Sequence, residues 1–313
     1  MAEKSGELIR GLQESDFTVL DNKQPQKLLG FRAIETKGDS ADAAHVLIVV
    51  DMINTGFDAV AREREELSEF LKTNGGELPN PTAIAVLAES GVKLGTGWTR
   101  DGNALQAAFG KQSSELRAVG RDAGFYGAAE RLEVSLKQLA QLAGYEAAQP
   151  GRKMILFISP GWPLLPLAGD QSGLKQRTWV FNEVVQLTNG LREGNMTLYV
   201  IDPFDLGRTD PFYYQGYLKG VAFPKDAEYP DLALQVLAVH SGGQVLVSGR
   251  DVTGELKTAI RDAAAIYELT FAAAPGDRVN EYHALQVKVD KPNAVVRTSS
   301  GYYAHAQVAA AGR

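Results

Sequence analysis

The stretch "HVLIVVDMINTGFDAV", residues 45–60, decides how the chain is read. Val46 to Val50 are apolar without alternation, which is what a parallel strand buried on both faces requires. The run ends on Asp51, passes through a short polar turn, and gives way to helical spacing. Phe57, Val60, Leu67 and Leu71 fall on one stripe, leaving Glu63, Glu65 and Glu66 for solvent. A buried strand feeding an amphipathic helix through a short loop opens a βα unit.

The same alternation continues outward. "TAIAVLAE" (82–89) and "VKLGTG" (92–97) are joined by Ser90-Gly91, a turn that makes the third strand antiparallel at an edge. "NALQAAF" opens a helix, and Ala129, Leu132, Leu136, Leu139 and Ala143 form the stripe of another, stopped by Pro150-Gly151. "KMILFIS" (153–159), "MTLYVID" (196–202) and "GQVLVS" (243–248) supply three more strands. Between and after them run stripes of Val180, Val184, Leu187 and Leu191, of Leu232, Val236 and Val239, and of Leu256, Ile260 and Ala263. The expectation is an α/β domain over residues 41–265, a doubly wound, mostly parallel six-stranded sheet with helices on both faces.

The flanks lack helical period. Residues 1–40 carry "DFTVLD" and "KLLGFRAIE" around the turn-like "NKQPQ", and "TKGDSADAA" (36–44) reads as a linker. Residues 266–313 carry "YELTFAA", "HALQVKVD" and "AVVRTSSGYY". These two flanks are expected to pack together as a small β subdomain.

Composition narrows the function classes. With 313 residues, 44% apolar and 22% charged, the chain has material for a substantial core. A net charge of -6 supplies no basic field for nucleic acid or an anionic membrane. The absence of cysteine removes disulfides, thiolate metal sites and thiol nucleophiles. No apolar run approaches the roughly 20 residues a membrane span needs. The opening "MAEKSGELIRGL" has no signal-peptide core and reads as the interior of a domain.

Ligands of open parallel sheets sit beyond the carboxyl ends of the strands, so Asp51 stands where a site belongs. A carboxylate followed by hydroxyls two and four residues later can offer a divalent cation three oxygens. Here Thr55 supplies the last, while Ile53 replaces the middle one. The competing reading is that Asp51 caps the amides of its own loop. Asp101 has the same ambiguity, as an auxiliary carboxylate or as the N-cap of the helix in "RDGNAL". Ser159 is a possible hydroxyl donor or a turn residue before Pro160-Gly161. Asp202-Pro203 reads as a turn and Asn195-Met196-Thr197 as structural.

The series "VLIVVDMINTGF", "LPNPTAIAVLAESGVKL", "WTRDGNALQAAF", "GFYGAAERLEVSLKQLAQLA", "PGRKMILFISPGWPLL", "MTLYVIDP", "LALQVLAVHSGGQVL", "YELTF" and "VRTSSGYY" resembles the von Willebrand factor A-related domain family typical of Acidobacteria. Such domains resemble integrin I domains, whose metal-ion-dependent adhesion site joins three loops. The resemblance implies a degenerate site of Asp51, Thr55 and Thr99, with Asp101 and Ser159 as auxiliaries. Pro160 stands where the third loop's Asp belongs, so a bound Mg2+, Mn2+ or Ca2+ would be held weakly. It implies export to the envelope or beyond, with the cytoplasm as the alternative.

Other signals are thin. His45, His240, His283 and His305 show no zinc-site spacing, and there is no dinucleotide fingerprint, phosphate loop or nucleophile elbow. In "SPGWPLLPLAG", Trp162 is either an anchor for a partner or a core residue. "RTDPFYYQGYLKGVAFP" reads as an aromatic packing cluster. The leading expectation is a non-enzymatic binding or adhesion module. It would meet a protein or cell-surface ligand near Asp51, Thr55 and Thr99, with Asn54, Asp101 and Trp162 as contact residues. The alternatives are a metal-free structural scaffold, in which Asp51 caps amides, and a hydrolase built on Asp51, Asp101 and Ser159.

Overall fold

The computed structural model describes residues 2–3, 8–35, 42–55, 57–95, 97–114, 125–163, 173–203, 212–247 and 251–305. The linker positions 36–41, the loop beyond 163, the start of the aromatic loop at 208–211 and Ser248 lie outside them, as does the side chain of Phe57.

The amino-terminal flank forms β1 (Ala2–Glu3), β2 (Phe17–Asp21), β3 (Gln24–Gln26) and β4 (Leu28–Glu35). "NKQPQ" is more than a turn. Asn22 and Lys23 alone reverse the chain, both at positive φ as a type I′ hairpin demands. Pro25 then sits on an edge strand, where its missing N–H costs no ladder bond.

The α/β part runs β5 (His45–Asp51), α1 (Phe57–Leu71), β6 (Glu77–Ala88), β7 (Gly91–Leu94), β8 (Thr99–Asp101), α2 (Gly102–Ser114), α3 (Phe125–Ala147), β9 (Lys153–Ile158), α4 (Leu174–Glu193), β10 (Met196–Asp202), α5 (Leu234–His240), β11 (Val245–Val247) and α6 (Val252–Ala263). Among the described residues the sheet has seven strands, ordered β11-β10-β9-β5-β6-β7 with β8 on β6. Pairings from β11 to β6 are parallel, and β7 and β8 run antiparallel. The additional strand β8 is three residues of Thr-Arg-Asp, too short and polar to show a period. The hairpin before it turns on Glu89-Ser90, one residue earlier than the sequence suggests, because Gly91 pairs with Ala88.

Alternation along β5 divides the core. Leu47 and Val49 face α3, α4 and α5, with Leu136, Val184 and Leu237 packed there. Val46, Ile48 and Val50 face α1, α2 and α6, with Leu67, Leu105 and Leu256. The sheet is therefore covered on both sides, as its unbroken apolar strands require.

After α6 come β12 (Ala265–Phe271), β13 (Glu281–Val289), β14 (Ala294–Val295) and β15 (Gly301–Ala304), so "AVVRTSSGYY" is two short strands with an irregular joint. Strands of the two flanks pair with each other, β4 with β12, β2 with β13 and β1 with β14. A buried network seals the joint, with Asp21 accepting from Tyr302 Oη at 2.7 Å and facing His283 Nδ1 at 2.9 Å. β15 also reaches the other way, since Tyr303 belongs to the α/β core.

Candidate functional site

β5 is the strand at which the chain reverses direction across the sheet, toward β6 on one side and β9 on the other. The crevice between the carboxyl ends of β5 and β9 is thus the topological switch point, where ligands of such sheets bind. Asp51 and Ser159 end these two strands, and they meet across it.

Asp51 is fully buried. Its Oδ1 accepts the amides of Ile53 at 2.9 Å and Asn54 at 3.0 Å. Its Oδ2 accepts Asn54 Nδ2 at 2.9 Å and Ser159 Oγ at 2.7 Å. Four donors meet about four lone-pair positions, the full capacity of a carboxylate. Burial pushes the Asp51 carboxyl upward, while the bonds from Asn54, Ser159 and Ile53 pull it back.

The surrounding groups are also committed. The second N–H of Asn54 Nδ2 goes to Ser135 Oγ on α3 at 2.9 Å. Ser159 Oγ accepts the amide of Gly161 at 3.0 Å, closing a turn with Pro160 leading and Gly161 at φ +91°. That positive φ favours glycine, and a Cβ on Gly161 would also press on the buried Gln235 amide, which would have to shift. That turn sends Trp162 inward, 4% exposed, with its ring edge-on to Phe157 at 6.4 Å. Trp162 is therefore a core residue in this fold, and the anchor reading does not survive its burial. Ile53 is likewise in the core, and Thr55 is buried in the same loop.

Thr99 and Asp101 lie elsewhere. Thr99 pairs with Thr82, which is level with Val46, at the amino end of β5. Five residues separate that level from Asp51, about 16 Å along a strand. Trp98, next in line, stacks on His45 at the same amino edge, with ring centroids 4.7 Å apart. Asp101 Oδ1 accepts the amide of Ala104 at 2.9 Å, the N-cap of α2, and Thr99 Oγ1 accepts the amide of Asp101 at 3.0 Å. The three-loop arrangement implied by the resemblance is thus not assembled from these residues, and neither is a set of Asp51, Asp101 and Ser159. With Asp51 saturated, Pro160 in the third loop and Thr99 at the far edge, this donor set does not fit a divalent cation. Among the described residues no group of three or more His, Asp or Glu side chains is arranged to hold a metal ion.

Two participants escaped the sequence reading. Ser135 lies three residues after Leu132 on the apolar stripe of α3, a polar residue on an inward face. Glu63, read as solvent-facing, is 2% exposed, because Val60, Glu63, Leu67 and Phe70 share one helical face. Neither Glu63 carboxylate oxygen has a hydrogen-bond partner among the described residues. Burial pushes the pKa of its carboxyl well above the usual range, reinforced by the Asp51 and Asp202 charges against a weaker pull from Arg62. The folded state therefore holds this proton more tightly than the unfolded chain. Its contribution to stability is fully present below the ordinary carboxylate range and falls as pH rises toward the raised folded value. Replacing Glu63 by Gln is expected to flatten that decline. Urea midpoints at acidic and mildly alkaline pH check it, and an unchanged pH slope in the variant would refute the assignment.

No family model matches the sequence. No curated protein matches it. Similar solved structures include the human COPII-coat protein Sec24c, at 10% identity over 75% of this chain and 35% of that one, with a TM-score of 0.36. Another is the pilus adhesin SpaC from Lactobacillus rhamnosus GG, at 11% identity over 83% and 37% of the two chains, with a TM-score of 0.40. A third is the SpRpn10 VWA domain, at 15% identity over 53% and 77%, with a TM-score of 0.29. The chain thus spans 35% and 37% of the length of the first two.

Proposed function

We propose that this chain is a non-enzymatic binding module of the von Willebrand A type that works without a metal. In this reading the strand-end network around Asp51 is a structural brace, and the partner is a protein or surface ligand. The observation that carries it is the saturation of Asp51, whose two oxygens accept four protein donors. A carboxylate so satisfied has little to gain from a cation that must first strip it of those bonds. Contact with a partner then falls to surface side chains. Leu174, Trp179 and Phe212, in the segments that follow β9 and β10, are large apolar residues left exposed, the type enriched where proteins meet. No helix among the described residues is long and apolar enough to cross a membrane.

Calorimetric titration of the full chain with magnesium, calcium and manganese tests the metal half. The expected result is no saturable heat at millimolar metal. A stoichiometric site that disappears in Asp51→Asn would overturn the reading and restore the adhesion-site mechanism.

A further inference from the structure

A large cleft lies at the opposite end of the sheet from Asp51. It has a volume of about 750 Å3 and separates the amino ends of β9 and β10 from the ribbon of β4 and β12. That size falls within the roughly 300–1,000 Å3 of small-molecule sites, which favour such junctions between substructures.

The charges lining it do not cancel. Arg32, Arg152, Lys153, Arg192 and Arg297 face Asp42, Asp262 and Glu268. All three acids are already engaged. Asp262 holds Arg297 at 2.6 Å, and Arg32 takes both Asp42 at 3.4 Å and Glu268 at 3.1 Å. Arg192 pairs with Glu193 at the rim, and Lys153 is spent on the backbone carbonyls of Gln149 and Gly194. Arg152 is left over. Its guanidinium, half-buried, donates one bond to the Ala263 carbonyl at 2.9 Å, and among the described residues no carboxylate lies within salt-bridge distance of it. The charges of Glu268 and Asp42 reach it only from beyond contact, its Nε has no hydrogen-bond partner among the described residues, and its planar donor array suits a carboxylate or phosphate. Burial works against its charged form, and the charges of Tyr199, Glu268 and Asp42 offset that only in part. Asn195, Thr197 and Thr270 add neutral hydrogen-bonding groups around it, suited to a polar ligand body.

We propose that this cleft is a binding site for a small polar molecule carrying a carboxylate or phosphate group, with Arg152 as the residue that receives the anion. The site is independent of the Asp51 edge, and the two stand or fall separately.

The test is titration of the full chain with citrate, glutamate and inorganic phosphate, each against sodium chloride at matched ionic strength, read by calorimetry and thermal unfolding. Saturable one-to-one binding by at least one anion is expected, and the carboxylate and phosphate arms tell which group the cleft prefers. Arg152→Gln should weaken that binding by roughly tenfold or more. Because Arg152 also braces Ala263, Thr270→Trp, which narrows the cleft from its exposed β12 wall, provides a second variant expected to weaken binding without touching the guanidinium. No saturable binding by any of the three anions overturns the proposal. So does binding of equal strength in both variants, or in Thr270→Trp alone if Arg152→Gln does not fold.

Discussion

Asp51→Ala is expected to cost about 3 to 5 kcal/mol of stability, because it removes one acceptor group and strands several donors at once. The amides of Ile53 and Asn54, the Asn54 carboxamide and the Ser159 hydroxyl all lose their acceptor. Each buried donor left without a partner costs roughly 1–3 kcal/mol, and the sum is less than additive because the loop relaxes. Asp51→Asn should be milder. Its oxygen still accepts the two amides, while its new N–H2 can donate to Ser159 Oγ at the expense of the bond from Asn54. Urea unfolding followed by circular dichroism measures both, and manganese should leave the wild-type midpoint unmoved. A loss below about 1 kcal/mol in Asp51→Ala would show that the network is not a brace. A manganese-dependent rise in wild-type stability that vanishes in Asp51→Asn would show instead that the carboxylate serves a cation.

The comparison of sequence with structure turns on which signals are local. The apolar run Val46 to Val50 and the stripes of Leu136, Val184 and Leu256 report directly on faces buried by neighbours, and those elements form where their spacing places them. β8 carried no such signal, since three polar residues pair with β6 only because the chain is brought there by what precedes them. Thr99 shows the consequence. Its place in the site rested on a family resemblance, and a match along the chain says nothing about which edge of a sheet a strand lies on. The roles of Asp51 and Asp101 were legible as alternatives, because Asp at a strand end or before a helix can cap amides as well as bind ions. Choosing between them needed the positions of Ser159 and Asn54, which are long-range or side-chain facts. Glu63 was legible and misread: its place on the stripe with Val60 and Leu67 was visible, and composition alone argued for solvent.

Tyr303→Ala should be the second large loss, about 3 to 5 kcal/mol, the usual range for deleting a buried aromatic side chain. The residue is 1% exposed although it sits in a four-residue strand of the carboxyl-terminal flank. Its backbone is gripped in both directions by the Asn189 side chain of α4, at 3.0 and 3.2 Å. Its ring stands edge-on to Phe181 at 5.7 Å, and its hydroxyl donates to the Val221 carbonyl at 3.0 Å. Tyr302, pointing the opposite way as strand alternation requires, ties the same segment to Asp21 of the amino-terminal flank. Two adjacent tyrosines thus couple the β flanks to the α/β core, so a flank residue bears on the stability of the whole. Tyr303→Phe keeps the packing and loses one hydrogen bond, and should cost about 1–2 kcal/mol, including the stranded Val221 carbonyl. Far-ultraviolet circular dichroism and tryptophan fluorescence should report one coincident transition in the wild type, moved to lower urea in Tyr303→Ala. If the variant instead unfolds at the wild-type midpoint by both probes, β15 is an appendage, and the coupling argued from its two tyrosines is wrong.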